Sequence, residues 1–419
     1  MASPERIQWF SSLKYGMFLH YGIYSSIGRC EWTYWLDDFT VDEYAQLEKN
    51  FHPDEGIADE WAQTAKEAGM KYMVFTTRHH DGYCLWNTAT QDYNSVKGTP
   101  GRDIVAEYVE ACRKAGLAVG LYYSVYDWRY KCTWNKKKSA WTEEDAKSAK
   151  DFLAMVYAQV RELLTNYGKI DILWFDSTWL PEDTTAEELY QDLIDMAREL
   201  QPGILMNDRT GVKCDFGTPE RAIEPAKDRA WESCLTLDPV SWGHVPYSPS
   251  RKTTPNVVHD LMFTLAGGGN LLLNSGPTAK GWLHKGEKQT ILEVGEWYKK
   301  YAEAFRNITT SPLDDYGSIF SCCGEHVRFI GSDDPCVHYM FTKCWMGTEF
   351  WVGRVGTEVE SVTLLPDNTP VEFHTNGRNR LILTGLPETA PDPYSTVFKI
   401  TFKEPAKVYT IPDSERGSL

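Results

Sequence analysis

Short, almost wholly apolar runs alternate with amphipathic segments through the first three quarters of the chain. The runs at 14–21 (KYGMFLHY), 71–77 (KYMVFTT), 117–124 (LAVGLYYS), 171–176 (DILWFD), 203–208 (GILMND), 230–235 (AWESCL) and 269–274 (GNLLLN) are mostly rich in Leu, aromatic and β-branched residues. Strands buried on both faces of a parallel sheet have this texture. Between them, helical patterns run over 58–68, 103–115, 143–166, 185–200, 254–266 and 284–304. In the first of these, Ala58, Trp61, Ala62 and Ala65 share one face. Gly69 and Gly116 follow two of the helices directly, where a C-terminal cap belongs. From about residue 310 the period falls to two, in HVRFIG, VHYMFTK, EFWVGR, VESVTLL, RLILTGL and STVFKITF, between clusters of Gly, Asp, Asn and Pro. That pattern predicts an antiparallel β-sandwich. An α/β domain is expected over 1–310, and a sandwich domain without a catalytic-looking cluster over 311–419.

An alternating β–α chain closes either into a doubly wound sheet or into a (β/α)₈ TIM barrel. The ends of the strands decide between them. His20, His79, His80, Tyr122, Asp176 and Arg209 all stand at or just beyond the C-terminal end of an apolar run. In a barrel those ends ring one mouth, where the active site lies. A dinucleotide-binding doubly wound sheet would need a Gly-rich phosphate turn at its first crossover, and there is none.

Composition narrows the function. The net charge of -16 leaves no surplus of Lys and Arg to replace the counterions of a nucleic acid. No run of 18 apolar residues is present to cross a membrane, and no charged leader precedes an apolar core, so a cytoplasmic location is expected. The cysteines are scattered without C-x-x-C spacing, which suits reduced thiols better than zinc or a disulfide framework. With 16 Trp and 23 Tyr the chain is well supplied with flat apolar faces that carry a polar tip. Such faces serve ordinary packing and carbohydrate sites alike.

Asp176 closes the strand Ile-Leu-Trp-Phe-Asp, with Trp174 and Trp179 on either side. A carboxylate there enters a barrel mouth; alternatively it caps the next helix, since Ser177 and Thr178 are cap formers too. Glycoside hydrolysis needs a second carboxyl group to protonate the leaving oxygen. Glu220, Glu224 and Glu232 follow the next strand, each otherwise a solvated loop charge. His79-His80 raises the question of a metal, but neighbours on a strand point to opposite faces, and no His-x-His or His-Glu-x-x-His occurs. Histidines that bond sugar hydroxyls fit better.

These residues together resemble the glycoside hydrolase family 29 α-L-fucosidases. The resemblance is carried by Lys14-Tyr-Gly-Met-Phe-Leu-His20-Tyr-Gly, Glu31-Trp32, the run Lys71 to Trp86, Asp92-Tyr-Asn-Ser-Val96, Arg102-Asp103, Gly120-Leu-Tyr-Tyr-Ser124, Trp174-Phe-Asp176, Asn207-Asp-Arg209, Trp231-Glu-Ser-Cys-Leu235 and Gly268 to Pro277. It implies a barrel followed by a β-sandwich, hydrolysis with retention of configuration, and no metal or other cofactor. Asp176 matches the family nucleophile. Glu220, at the end of Asp-Phe-Gly-Thr-Pro-Glu, resembles one form of the family acid/base, with Glu232 as runner-up. His20, Glu31, Trp32, His79, His80, Tyr122, Trp174 and Arg209 resemble fucose-pocket positions. Where the family usually has His-Trp-Gly, this chain has His20-Tyr21-Gly22.

The partner implied is a fucosylated oligosaccharide or glycoconjugate, with neither nucleic acid nor membrane; homo-oligomer formation stays open. Two other readings compete: a catalytically silent fucose-binding protein on the same fold, and a metal-dependent barrel hydrolase. The first would be favoured by loss of either carboxylate, and a metal assay decides the second. The prolines and aromatics of the loop Asp238 to Ser250 suggest a constrained aglycone subsite and point to α1,3/1,4-linked fucose.

Overall fold

The computed structural model describes residues 1–130, 143–177, 184–314, 326–377 and 379–409. Its first sheet has eight parallel strands: β1 (Tyr15–Leu19), β2 (Tyr72–Arg78), β3 (Ala118–Ser124), β4 (Ile172–Asp176), β5 (Leu205–Met206), β6 (Phe216–Gly217), β7 (Ala230–Thr236) and β8 (Asn270–Ser275). They lie in the order β5-β4-β3-β2-β1-β8-β7-β6. A parallel bridge between Asn207 and Phe216 brings the two outer strands together, so the sheet is a nearly closed barrel. Seven strands fall on the apolar runs. The eighth, β6, is two residues long and too short to show a period; pairing with Ala230 and Trp231 defines it.

Helices occupy Ile57–Glu67, Ile104–Ala115, Glu143–Asn166, Ala186–Leu200, Thr254–Ala266 and Lys285–Lys300, close to the periodic segments. Helix Ile104–Ala115 starts where the Asp103 side chain accepts from the Ala106 N–H and ends at Gly116, whose φ of 77° only glycine adopts cheaply. No helix stands between β5 and β7. Their connections are irregular chain, free to carry side chains into the barrel mouth.

The opposite end of the barrel is closed by helix Pro4–Leu13. Arg6 Nε donates to Gly203 O at 2.7 Å, and Asn270 Nδ2 donates to Phe10 O at 2.8 Å. The Phe10 ring lies 4.3 Å from that of Phe216. Phe10, Phe18, Tyr72, Val74, Ile172, Trp174, Leu205 and Leu272 are buried in one cluster. Each large apolar side chain so buried contributes roughly 1.5–3 kcal/mol.

The chain forms two compact units, one of residues 1–222, 226–252 and 270–292, the other of 223–225, 253–269 and 293–419. The second unit contains a six-stranded sheet and a three-stranded sheet, and its strand pairs are antiparallel. Phe329, Met340, Phe350, Leu381, Leu383, Phe398 and Ile400 form its core. Helix Thr254–Ala266, which the sequence pattern assigns to the α/β domain, clusters with this unit; the Arg328 guanidinium lies 3.9 Å from the Phe263 ring.

Candidate active site

A cavity of about 410 Å³ is lined by residues at the C-terminal ends of the barrel strands. His20, Trp32, His79, His80, Tyr122, Trp174, Asp176, Arg209 and Glu220 all line it, joined by Phe18, Ser177, Asp208, Gly211, Thr218, Cys234 and Trp242. The alternation of the strands places them. In β4, Trp174 and Asp176 share a face, and they pair in register with Tyr122 and Ser124 of β3. The Tyr122 and Trp174 rings stack 5.7 Å apart.

Three donors hold the Asp176 carboxylate. The Tyr122 hydroxyl donates to Oδ2 at 2.7 Å; Ser177 N–H and Arg209 Nη1 donate to Oδ1 at 2.9 and 3.0 Å. Ser177 adopts φ 64°, a left-handed conformation that costs a residue with a side chain about 1 kcal/mol or more. Asp176 is not the cap of the following described helix, because Ala186–Leu200 starts in a capping box between Thr185 and Glu188. Thr178 and Trp179 lie outside the described residues.

Arg209 joins this carboxylate to a second one. The same Nη1 donates to Glu220 Oε2 at 2.8 Å, while Nε and Nη2 donate to Thr218 Oγ1 at 2.9 Å and Thr218 O at 3.1 Å. The guanidinium also lies 4.8 Å from the centre of the Trp174 ring. Glu220 sits three residues past β6, where the chain still bridges to Cys234 of β7. Its side chain is 43% exposed.

Glu232 takes a different position. It is completely buried, accepting from the Tyr72 hydroxyl on Oε2 and from Trp174 Nε1 at 3.0 Å on Oε1. Burial pushes its pKa up to about 7, against the two hydrogen bonds and Arg209. It supports the cavity floor from below and does not line the cavity. Glu224 is an exposed loop residue.

The three histidines are buried. Asn274 Nδ2 donates to the Trp242 carbonyl at 2.8 Å, which orients the amide so that Oδ1 accepts from His20 Nδ1 at 2.7 Å. His20 Nε2 is thereby left as an acceptor for a hydroxyl. Burial, then the charge of His79, pushes the His20 pKa down to about 3; burial, then His20 and Arg78, does the same to His80. His79 is lowered by burial and by His80.

Acid lability follows from these shifts. The unfolded chain protonates an imidazole below about pH 6.5, whereas the folded chain resists until about 3. The stability held by His20 is complete above about pH 6.5 and drains away toward pH 3, by up to about 1.4 kcal/mol per pH unit. Glu232 and Asp81, raised to about 7 and about 6, act in the opposite sense. The informative quantity is therefore a difference between proteins. On acidification from about pH 6.5 to about pH 4, the melting temperature of His20→Gln should fall less than that of the wild type. Parallel falls would show that folded His20 binds its proton over this range.

Glu31 departs from expectation. It does not line the cavity: its Oε2 accepts from Ser241 Oγ at 2.8 Å and from the N–H groups of Trp242 at 3.1 Å and Gly243 at 2.8 Å. A buried carboxylate oxygen here satisfies a turn that would otherwise leave two N–H groups unpaired. Glu31 thus places Trp242, whose ring lies 5.0 Å from His20. Trp242 itself was hidden within the Asp238–Ser250 loop, where nothing in the pattern separates one aromatic from another. Among the described residues, no three His, Cys, Asp or Glu side chains gather in a metal-holding group.

A family model described as Alpha-L-fucosidase matches residues 2–303. The α-L-fucosidase of Dictyostelium discoideum is 27% identical over 451 residues, covering 94% of this chain and 92% of that protein. α-L-Fucosidase isoenzyme 1 from Paenibacillus thiaminolyticus has the same fold, with a TM-score of 0.83 at 30% identity over 96% of this chain and 99% of that one. A family 29 α-L-fucosidase from Bacteroides thetaiotaomicron, solved as a covalent intermediate trapped with 2-fluoro-fucosyl fluoride, gives a TM-score of 0.83 at 26% identity over 96% and 97%. Barrel, cavity and relatives converge: the chain belongs to the α-L-fucosidases of glycoside hydrolase family 29.

Proposed function

We propose that the chain is a retaining, exo-acting α-L-fucosidase in which Asp176 is the nucleophile and Glu220 the acid/base. The shared Arg209 nitrogen carries this reading. Its contacts of 3.0 and 2.8 Å to the two carboxylates cap the nearest oxygen–oxygen gap at roughly 5.8 Å. Retaining glycosidases hold their carboxyl groups ~5–5.5 Å apart, inverting ones ~6.5–9.5 Å.

In the first step Asp176 attacks the anomeric carbon while Glu220 gives its proton to the departing glycosidic oxygen, leaving a β-fucosyl ester. Water then loses a proton to Glu220 and attacks the same carbon; the ester breaks and α-L-fucose leaves. Arg209 reaches both groups and so sits beside whichever is ionised, Asp176 before the first step and Glu220 after it. His20, His79 and His80 meet the sugar hydroxyls, and Tyr122, Trp174 and Trp242 supply the apolar wall for the methyl group.

The linkage proposed, α1,3/1,4, is read from the prolines and aromatics of the 238–250 loop, whose shape is fixed by its hydrogen bonds. Asp238 Oδ1 accepts from Val240 N–H at 3.0 Å and Ser248 Oγ at 2.8 Å, and Glu31 fastens the middle. A loop held this firmly selects by shape. Proton NMR of the first turnovers should show α-L-fucose before mutarotation, and α1,3/1,4-linked oligosaccharides should be cleaved at least about tenfold faster than α1,2- or α1,6-linked ones. β-Fucose appearing first would rule out double displacement, and equal rates would remove the linkage preference alone.

A further inference from the structure

Arg221 follows Glu220 directly, and nothing in the reaction derived above uses it. Its backbone is strained: φ is 53°, in the left-handed region that residues with side chains rarely adopt. Such strain persists only where surrounding contacts impose it. Here they are identifiable. The Arg221 N–H donates to Cys234 O at 3.0 Å, continuing the pairing of this segment with β7. Its Nη1 donates to Pro239 O at 2.7 Å, and its guanidinium lies 5.4 Å from the centre of the Trp242 ring. Its charge is near enough to help depress the titration of His20.

Two consecutive residues of an extended chain point to opposite faces. The left-handed turn at Arg221 breaks that alternation. Glu220 reaches Arg209 while Arg221 reaches Trp242, and both of those partners line the same cavity. One short segment is thereby fastened to two loops: the β5–β6 connection through Arg209, and the 238–250 loop through Arg221.

We propose that Arg221 is a positioning residue, a clamp that ties the Glu220 segment to the 238–250 loop and so holds the acid/base carboxyl against the leaving group. The proposal rests on the reading of Glu220 as acid/base. A clamp on the proton donor has a signature that a fold-stabilising residue lacks. Its loss matters when the leaving oxygen needs a proton and hardly at all when it does not.

The test measures kcat/KM for fucosides whose leaving groups range from a nitrophenol to a sugar alcohol. The proteins compared are the wild type, Arg221→Gly, Arg221→Asn, Arg221→Lys and Glu220→Gln. Gly and Asn both tolerate the left-handed backbone, so either tests the side chain without adding strain. Arg221→Gly and Arg221→Asn should lose roughly 10- to 100-fold on the sugar leaving group and less than about threefold on the nitrophenol, with melting temperatures near that of the wild type. Arg221→Lys should fall between them and the wild type, since an ammonium can reach Pro239 O but cannot reproduce the planar stack. An equal loss for both leaving groups, or no loss in either variant, overturns the clamp. Glu220→Gln separates the two readings. If it shows the leaving-group dependence and the Arg221 variants do not, the clamp alone fails. If Glu220→Gln shows none, the assignment of Glu220 fails and the clamp with it.

Discussion

Asp176→Ala should leave a folded protein whose turnover is lower by about 10⁴-fold or more, the scale on which losing a covalent nucleophile acts. The fold should survive because little of it depends on this carboxylate. Arg209 keeps Glu220 and Thr218 as partners, and the site is open enough for water to meet the Tyr122 hydroxyl and the Ser177 N–H. The space vacated beside the anomeric carbon admits a small anion. Added azide should attack there directly, with a single inversion and the β-fucosyl azide as product. Turnover within tenfold of the wild type would reduce Asp176 to a structural acceptor for its three donors.

Glu220→Ala and Glu232→Ala should both damage the enzyme, with different signatures. If Glu220 is the acid/base proposed above, its loss removes the proton donor from the first step and the base from the second. Natural oligosaccharides, which leave as poor alkoxides, should be hydrolysed roughly 10²–10⁴-fold more slowly. An aryl fucoside with a good leaving group should still fucosylate Asp176, giving a burst of phenol as the intermediate accumulates. Azide needs no base, so it should release that intermediate as the α-fucosyl azide, after two inversions. Glu232→Ala should instead slow both substrate types alike and show no azide rescue. It leaves the Tyr72 hydroxyl and the Trp174 indole N–H without their buried acceptor, at about 1–3 kcal/mol each, so its melting temperature should also drop. If Glu232→Ala yields the α-azide and Glu220→Ala does not, the two roles must be exchanged.

The barrel was legible because its long strands are buried on both faces and write themselves as unbroken apolar runs. β2, with all seven residues buried, is the clearest case. Where pairing alone makes a strand, as at Phe216–Gly217, the chain carries no periodic signal. Helix Thr254–Ala266 shows the same limit at a larger scale, since its period predicts a helix but not the unit it joins. Among the site residues, those ending strands could be located, because strand alternation and barrel geometry leave them one place to go. Glu31 and Trp242 could not be sorted. Their positions depend on three hydrogen bonds between segments more than 200 residues apart. The left-handed backbone of Arg221 was equally silent, for Arg has no preference for that conformation and is held in it by tertiary contacts.

The pairing of β1 with β8 sets a timetable for biosynthesis. Lys14 N–H meets its acceptor on Asn270, 256 residues later. At cellular elongation rates the ribosome needs on the order of tens of seconds to cover that distance. Through that interval β1, whose five residues are all destined for burial, has one neighbour in β2 and an open edge where β8 belongs. An apolar strand edge left unpaired for so long is an adhesive surface. The nascent chain is therefore exposed to aggregation, and served by a holding chaperone, from the pairing of β1 with β2 until its last barrel strand emerges.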